Sequence, residues 1–509
     1  MLNFNQVLRR FFRHNITMKI FKKTFYLGLL CMLLMVGCTN QFDEINDNPN
    51  NLTKAPAENV LGNVIVRLVS ITQNTAGFDI SSRWTQHVAN FIFPEADIYT
   101  PRDASVAAIW SELYSRVLVN AEVLIEDAKT DNRPNLQAIA TVLRVYAFQT
   151  ATDLWGDIPY SQALKGFDNS TGQTGVLNPS YDNQQQIYQG LIAELKAAND
   201  LFDNTTDPIS QGDFIYGGNI DQWQKFCNSL LLRLYIRISK ADAATAQTGI
   251  SEILSNPTKF PIFTSNGDDA QMSYVDASGQ RNPLVESYNA NINEGVSKVM
   301  IDFLTSHNDP RLSIFAKPTK ESVDAGSPAY VGQTNGGDLL TQSKVSLIGD
   351  VFVGDAGGPL YLQTYSEVLF IIAEAANNGW NTGSWTAKQA YEDAIAQNVL
   401  KYNGTLGTYL TESNVNFDNA TTTEARATLI AEQKWVSLFM QGNEAYAEQR
   451  RTDTPTLSEV PKSAFPGKGL PVRLFFPSSE AAVNADNVSK ATTGVVDGIF
   501  GVKLWWDTQ

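Results

Sequence analysis

Apolar residues recur at every third or fourth position along most of this chain, and this spacing constrains the fold more than any other feature. It is the period of an amphipathic α-helix, whose apolar face is buried against neighbouring elements. Two segments show it most clearly, Tyr181–Phe202 and Tyr361–Ala376. Asp182 is predicted to cap the start of the first helix. The buried face of that helix is predicted to hold Ile187, Leu191, Leu195 and Ala198.

Helices dominate the predicted fold, and strand-like runs are few and short. The clearest of these runs is Val472–Phe476. Short polar turns separate several helices, as in the helix pairs of tetratricopeptide repeats, although no period of about 34 residues is visible. We predict an all-α fold: a helical scaffold with tetratricopeptide-like helix pairs, long irregular loops and few short strands. Further helices are predicted near residues 57–75, 106–129, 135–153, 219–241, 296–307, 386–402 and 423–441.

Long irregular stretches lie between the helix pairs, at residues 160–180, 257–295 and 314–360, and they are rich in Gly, Asn, Asp and Ser. Loops of that length in a compact protein are usually functional or disordered. No Pro/Gly/Ser-rich linker, charge block or low-complexity tract divides the rest of the chain. We therefore predict one large domain over residues 57–509.

The first 37 residues have the order of a secretory signal peptide. Six basic residues, from Arg9 to Lys23, precede the apolar run Phe25–Val36. A helix needs about 20 apolar residues to span a bilayer, so this run is too short for a transmembrane anchor. Translation from Met18 instead of Met1 would still leave an ordinary basic segment before the apolar run.

Cys38 is predicted to carry a lipid anchor. The residues before it, Leu34–Gly37, resemble the bacterial lipobox, in which a small residue precedes a cysteine that is acylated and becomes the mature N-terminus. Met35 departs from the more usual Leu at its position. Several acyl chains, at about 0.8 kcal/mol per buried methylene, hold a protein durably at a membrane. Residues 38–56 are then a flexible tether. The alternative is a conventional signal peptide whose cleavage site contains a cysteine.

Charge and composition exclude several function classes. Residues 1–37 contain six basic and no acidic residues, so their removal lowers the net charge from −15 to −21. Such a surface repels nucleic acid, and we expect no nucleic-acid partner. His87, His307 and Cys227 are too few and too far apart in sequence for a His/Cys zinc site or a Ser-His-Asp triad. We expect no metal, no cofactor and no catalytic residue; a calcium ion held by carboxylates and carbonyls stays open.

Two acidic pairs are candidates for acid/base catalysis. Asp153 and Asp157 flank a Leu-Trp-Gly sequence, where Gly156 is suited to end a helix, so local hydrogen bonds at a helix terminus are the favoured interpretation. Glu367 and Glu374 lie seven residues apart on one predicted helix face, and buried carboxylates need partners. We predict a structural charge network with partners among Arg144, Arg233, Arg450 and Arg451.

Five segments in a fixed order extend over nearly the whole chain after Cys38. They are Arg144–Tyr160; Pro179–Asp182 with Ile187 and Tyr188; Asp213–Gly218 with Trp223, Phe226, Leu230 and Arg233; Asp309–Arg311 with Tyr365–Ala375; and Gln433–Trp435 with Gly442, Arg450, Arg451, Pro471–Arg473, Pro477, Glu480 and Trp505–Asp507. Together they resemble the SusD/RagB family of nutrient-binding outer-membrane lipoproteins, in its SusD-like branch.

The resemblance implies an all-helical fold with tetratricopeptide-like pairs, anchored by lipid at the outer membrane and facing the cell exterior. It also implies a partner, a SusC-like TonB-dependent β-barrel transporter, over which the lipoprotein sits as a substrate-capturing lid. The expected ligand is an oligosaccharide or a peptide, and the sequence does not decide between them.

Ligand-binding residues are predicted on two loops that combine aromatic rings with amide and carboxylate groups, because sugars are bound by apolar ring faces together with a few polar groups. These loops are Phe93–Arg102 and the region Tyr274–Asn293. From them we predict four ligand-binding residues: Tyr99, Tyr274, Tyr288 and Asn289.

Three functions fit these features. The first is a surface-tethered nutrient-binding protein without chemistry of its own, which explains the anchor, the few histidines and cysteines, and the loop-bearing scaffold together. The second is a lipid-anchored glycoside hydrolase, for which no paired-carboxylate motif stands out. The third is a helical-repeat adaptor that only holds other surface proteins. We favour the first.

Overall fold

The computed structural model describes residues 55–168 and 173–508. The predicted signal peptide, Cys38 and the tether as far as Lys54 lie outside these residues. In the described part, helices make up most of the regular structure, and the strands form three antiparallel pairs. The predicted all-α class is confirmed. None of the helices among the described residues is both long and apolar enough to cross a membrane.

The α-helices follow one another along the whole described part of the chain. The first eleven are α1 Ala57–Val69, α2 Ser82–Trp84, α3 Asp103–Glu112, α4 Val119–Thr130, α5 Pro134–Trp155, α6 Gln184–Asn199, α7 Ile220–Arg237, α8 Ala243–Ser255, α9 Pro283–Ala290, α10 Lys298–Ser306 and α11 Leu312–Phe315. They are followed by α12 Lys320–Asp324, α13 Asp350–Val353, α14 Tyr365–Asn377, α15 Ala387–Lys401, α16 Thr423–Ser437, α17 Gly442–Thr452, α18 Ser478–Val483 and α19 Ala485–Ala491.

The remaining regular elements are short. Two π-helical segments, π1 Ser70–Ser81 and π2 Leu113–Leu118, join α1 to α2 and α3 to α4. Single 3₁₀ turns occur at Asn266–Asp268, Gln342–Lys344, Tyr409–Thr411 and Phe417–Asn419. The strands are β1 Val88–Asn90, β2 Phe167–Asp168, β3 Gln173–Thr174, β4 Ala270–Met272, β5 Glu294–Val296 and β6 Leu360–Gln363, paired as β1–β5, β2–β3 and β4–β6.

Consecutive helices from α4 to α8 pack against one another. Arg144 in the middle of α5 forms ion pairs with Glu122 of α4 and Glu194 of α6. Near the end of α5, Asp153 accepts a hydrogen bond from Tyr188, near the start of α6. These contacts make the neighbours antiparallel, so the predicted tetratricopeptide-like helix pairs are confirmed in this part of the chain. Residues 57–509 form one compact unit.

Helix α6 carries the predicted apolar face, and its four predicted residues are fully buried. Its cap differs from the prediction. The helix begins at Gln184, and Asn183 accepts the hydrogen bond from the N–H of Gln186. Asp182 instead accepts hydrogen bonds from the N–H groups of Tyr160 and Ser161. Its carboxylate therefore fixes the turn after α5 rather than the start of α6.

Two segments with the expected pattern fold differently. Leu360–Gln363 forms strand β6, and α14 begins only at Tyr365, capped by Thr364. Val472–Phe476 bends at Arg473 and is no strand, because the N–H groups of Val472 and Leu474 bond to two unrelated carbonyls. Those carbonyls belong to Ile499 and Leu154. A strand needs a partner that continues alongside it, and that partner is a property of the tertiary structure.

Segment π1 packs closely against α17. Gly442 approaches it so closely that a Cβ there would lie 2.1 Å from the carbonyl oxygen of Gly77. The next residue, Asn443, donates to the carbonyl of Thr72 at 2.7 Å and accepts from the hydroxyl of Ser81. The side chain of Asn443 thus bonds to both ends of π1, where the wider helix leaves polar groups available.

Candidate ligand-binding surface

The two loops predicted to bind ligand leave the fold side by side. Strands β1 and β5 pair antiparallel, with Asn90 opposite Glu294. The N–H of Phe91 continues this pairing by donating to the carbonyl of Asn293 at 2.8 Å. The residues that follow β1 therefore lie next to those that precede β5, although about 200 positions separate them in the sequence.

Asn90 builds a rigid turn at the end of β1. Its side-chain oxygen accepts hydrogen bonds from the N–H groups of Ile92 and Phe93, at 2.7 and 2.5 Å. Its side-chain nitrogen donates to Glu294 at 2.9 Å. The turn holds Phe93 outward with 58% of the residue exposed. An aromatic ring that is both exposed and fixed is suited to stack on an apolar ligand face.

Below this turn lies an acid-rich group that we call the Arg83 cluster: Arg83, Asp79, Asp97 and Glu294. Arg83 donates to Glu294 at 2.6 Å, whereas its nearest atoms to Asp79 and Asp97 are 3.9 Å away. Burial raises the pKa of Asp97 to about 7, and only part of that effect is offset by Arg83. Burial likewise raises the pKa values of Glu294 and Asp79. One guanidinium thus serves three carboxyl groups, and the cluster carries excess negative charge when all are ionised.

Helix α9 forms the other side of the surface. Its exposed residue Asn289 donates to the carbonyl of Val353 at 2.9 Å. Before the start of α9, the N–H of Tyr274 donates to the carbonyl of Gly357 at 3.0 Å. Tyr274, which precedes α9, and Asn289, in the last turn of α9, therefore both contact the segment 353–358. Helix α9 itself is about 12 Å long. We call Ile92, Phe93, Asn289 and Asn291 the β1–β5 surface; Tyr274 is half-buried against the core, and its hydroxyl is enclosed by protein.

Tyr99 and Tyr288 are core residues, 2% and 3% exposed. The ring of Tyr99 packs edge-on against Trp84 and Phe500, and the cavity beside it measures about 20 Å³, which is space for a water molecule but not for a sugar. Tyr288 donates its hydroxyl to the carbonyl of Glu294 at 3.2 Å. Neither ring offers a face to a ligand, so these two residues do not fit the predicted stacking role.

Phe93 begins the predicted loop and is exposed, but it is not among the four predicted residues. Asn90 is the signal that identifies it. An Asn directly after a short strand forms a turn through its own side chain, and the residues two and three positions later are then held at the surface. Tyr99 lies farther along, where the chain returns to the core with a left-handed backbone at φ 67°.

The first acidic pair is engaged in hydrogen bonds within the protein. Asp153 is buried and accepts hydrogen bonds from Tyr188 at 2.5 Å and Trp506 at 2.9 Å. Asp157 accepts the N–H of Gln184 at 2.9 Å. Gly156 ends α5 at a φ of 82°. Both carboxylates therefore fix the helix terminus, as predicted.

Glu367 and Glu374 belong to a second buried group, which we call the helical ion network. Arg233 contacts Glu367 with two nitrogens at 2.7 Å each. Arg451 contacts Glu374 in the same way at 2.7 and 2.6 Å. The predicted structural network is present, with these two arginines as partners. We define it by Arg233, Arg237, Lys434 and Arg451 with Glu367, Glu374, Glu444 and Glu448, and Arg237 also lies 3.6 Å from Asp153.

His87 is an aromatic packing residue of the core. Its ring is buried beside the rings of Trp435 and Phe439, with centroids 4.8 and 5.7 Å away. Neither ring nitrogen has a hydrogen-bond partner among the described residues. Burial lowers the pKa of His87 to about 3. The imidazole is therefore a neutral packing group rather than a general base.

Comparison with protein families decides the classification. A model of the SusD-like family, described as starch-binding and associating with the outer membrane, matches residues 49–477. The chain belongs to the SusD-like family. The resemblance carried by the five sequence segments is confirmed, and the outer membrane is the location that the family description gives. Among curated proteins, no sequence matches the chain.

Solved structures of SusD-like proteins share the whole fold. A SusD homologue from Bacteroides uniformis superposes with a TM-score of 0.78 at 22% identity, over 88% of this chain and 99% of its own. A homologue from Bacteroides fragilis gives 0.73 at 26% identity, over 90% and 100%. A chitin-binding SusD homologue from Flavobacterium johnsoniae gives 0.76 at 24% identity, over 88% and 99%. The SusD-like fold thus extends over nearly all of the chain.

Proposed function

We propose that this chain is a cell-surface lipoprotein that binds an oligosaccharide at the β1–β5 surface and delivers it to a SusC-like TonB-dependent transporter. One observation carries the proposal: Asn90 fixes the exposed ring of Phe93 two residues after Phe91, whose N–H bonds to Asn293 in the segment that follows the exposed Asn289 and Asn291. A ring face with nearby amides is the combination that sugars require. The starch-binding description of the family and the chitin-binding relative support a glycan over a peptide.

A glycan screen tests the binding step. We expect the purified protein to bind members of a panel of starch-derived, chitin-derived and other oligosaccharides without hydrolysing them. Phe93→Ala is expected to weaken binding about tenfold, because an aromatic contact contributes about 1 kcal/mol beyond the area that it buries. Asn289→Ala and Tyr274→Ala are expected to have smaller effects. Val483→Ala removes an equally exposed apolar residue elsewhere and serves as the control.

Two results would count against this function. Release of shorter sugars from any glycan would favour the hydrolase, although both acidic pairs are engaged in contacts within the protein. Binding of peptides but no glycan would place the ligand in a different chemical class.

The anchor and the partner need separate experiments. Cys38→Ala is expected to release the protein from the membrane fraction and to leave glycan affinity unchanged, because the anchor and the β1–β5 surface are different parts of the chain. Retention of the variant in the membrane would contradict lipid attachment at Cys38. Co-purification of the wild-type protein with a β-barrel transporter from solubilised membranes, with glycan uptake that depends on both, tests the delivery step. A stable complex without any soluble ligand would favour an adaptor.

A further inference from the structure

A groove of about 370 Å³ lies along the first helices, and none of its lining residues belongs to the β1–β5 surface. It is bordered by one side of α1 with the start of π1, and by α3. Its lining combines an amide, a guanidinium, a hydroxyl and a carboxylate with small apolar side chains. These groups belong to Asn63, Val66, Arg67, Ser70, Ala108 and Glu112.

The polar groups of the groove hold one another in position. Arg67 donates to the side-chain oxygen of Asn63 at 3.0 Å and to the carboxylate of Glu112 at 2.5 Å. Arg67 and Glu112 remain about one-third exposed, so the pair is accessible from the groove. An amide, a guanidinium and a carboxylate in one fixed array present both donors and acceptors, which neighbouring sugar hydroxyls can use.

Both helices change their winding at this groove. Ser70 is the first residue of π1, and Glu112 is the last α-helical residue before π2. π-helical turns are rare within helices and are frequently found at functional sites. Two such changes face the same groove. Residues 57–84 then continue as one run of helix from the groove to Arg83 below the β1–β5 surface.

An exposed aromatic ring stands at the end of the groove. Phe214 is 53% exposed and lies on α1 at Gly62, where a Cβ would come within 2.8 Å of the ring. Gly62 and Val66 are one helical turn apart on the same face. Asp213 fixes the loop, because its carboxylate accepts hydrogen bonds from three backbone N–H groups and from the indole of Trp223.

We propose that Phe214 and the α1–α3 groove form a second carbohydrate-contacting site, which holds a more distant part of a long glycan than the β1–β5 surface does. The inference rests on the proposed glycan-binding function. It adds a site with the same two components, a fixed exposed ring and an array of polar groups, on an independent part of the molecule. Short oligosaccharides need only the first site, whereas polymers gain affinity from both through the high effective concentration of linked sugars.

Hydrogen exchange of the full chain locates each site independently. Chitohexaose and maltoheptaose are the probes, and each is added to the wild-type protein and to the Phe214→Ala variant. We expect one of them to protect residues 58–71 and 211–218 in addition to residues 88–95 and 283–293. Phe214→Ala is expected to remove the protection of residues 58–71 and 211–218 and to leave that of residues 88–95 and 283–293. Gly62→Ala, which displaces the ring but favours the helix, is expected to act in the same direction.

Affinity electrophoresis in gels that contain glycol chitin or starch measures the effect on polymer binding. Phe214→Ala is expected to weaken retention about fivefold, while the control Val483→Ala leaves it unchanged. Protection confined to residues 88–95 and 283–293 would overturn the second site and leave the proposed function intact. Protection confined to residues 58–71 and 211–218 would support the groove and contradict the β1–β5 surface. Protection at neither place would overturn both.

Discussion

Two charged groups of this protein, the helical ion network and the Arg83 cluster, are arranged in opposite ways. The helical ion network pairs four cations with four carboxylates, most of them through contacts of 2.5 to 2.8 Å. The Arg83 cluster has one cation for three carboxyl groups, and two of the three are 3.9 Å from it. The network connects α7, α14, α16 and α17, whereas the cluster lies below the turn that presents Phe93.

The charge balance differs between the helices that the network holds together and the region below the proposed ligand surface. In the network, burial outweighs Arg233 at Glu367 and raises its pKa, whereas at Glu448 the cations Arg451, Lys434 and Arg237 outweigh burial and keep its pKa well below the usual range. In the cluster, burial dominates, so the pKa of Asp97 rises to about 7. Glu448 therefore keeps its charge at any physiological pH. The cluster changes its charge near neutrality, and this change occurs directly below the proposed ligand surface.

The largest effect is expected from Arg233→Met in the helical ion network. It leaves Glu367 buried without its two-point partner, and breaking such a pair costs about 3–5 kcal/mol of unfolding free energy. Urea denaturation measures the loss. Replacing both residues by Met is expected to recover most of it, because a buried pair is often replaceable by apolar side chains. Lys320→Met, from an exposed pair with Asp324, is the control with a cost of about 0–1 kcal/mol. A loss below about 1 kcal/mol for Arg233→Met would contradict the structural role.

A smaller effect is expected from His87, which is buried against Trp435 and Phe439. Its pKa is about 3 in the folded protein and about 6.5 when unfolded. Below pH 6.5 the unfolded chain takes up a proton that the folded chain excludes, so stability falls as the pH falls. The loss is about 1.4 kcal/mol per pH unit, or about 2 kcal/mol between about pH 6.5 and 5. His87→Leu is expected to remove this slope in urea titrations, whatever its absolute stability. An unchanged slope would show that the folded ring is protonated.

Asp97 is expected to make the unfolding free energy depend on pH with the opposite sign. Its folded pKa of about 7 lies above the ordinary value, so the unfolded chain releases the proton first and stability falls as the pH rises from about 4 to 7. The slope is about 1 kcal/mol per pH unit, reduced by any movement of Arg83 towards the carboxylate. Asp97→Asn is expected to abolish it. Urea titrations of the wild type, Asp97→Asn and His87→Leu at several pH values are therefore expected to change the slope of unfolding free energy against pH in opposite directions for the two variants. Equal slopes in all three proteins would contradict both assignments.

The smallest effect on stability is expected at Phe93. Its side chain is mostly exposed, so Phe93→Ala is expected to change the unfolding free energy by about 0.5 kcal/mol or less. Glycan affinity is expected to fall in the same variant. A large loss of stability would show that the ring belongs to the scaffold, and the separation between the two regions would then fail at this residue.

Helix positions and the types of charged partner are predictable because both depend on local or generic rules. A period of three to four residues needs no knowledge of the rest of the chain. A buried glutamate needs a cation, so Glu367 and Glu374 predict an arginine network before any contact is known. The arginines that serve them, Arg233 and Arg451, come from other helices, and sequence alone leaves them among four candidates.

Exposure of aromatic side chains is less predictable from sequence, because it is set by long-range packing. Tyr99 and Tyr288 have the same local composition as true surface residues, yet contacts with Trp84, Phe500 and the carbonyl of Glu294 bury them. Phe93 is exposed because Asn90 turns the chain outward at the end of a strand pair.

Local order along the chain was enough to specify a helical scaffold of the SusD-like family, since helical periodicity and family motifs are both read from neighbouring residues. Packing between distant segments specified the rest: which rings face solvent, where Val472–Phe476 finds its hydrogen bonds, and that α1 and α3 change to π-helices beside one groove. Each of those outcomes depends on partners far away in the chain. Residues 90 and 294, or 67 and 112, interact only when folding brings them together.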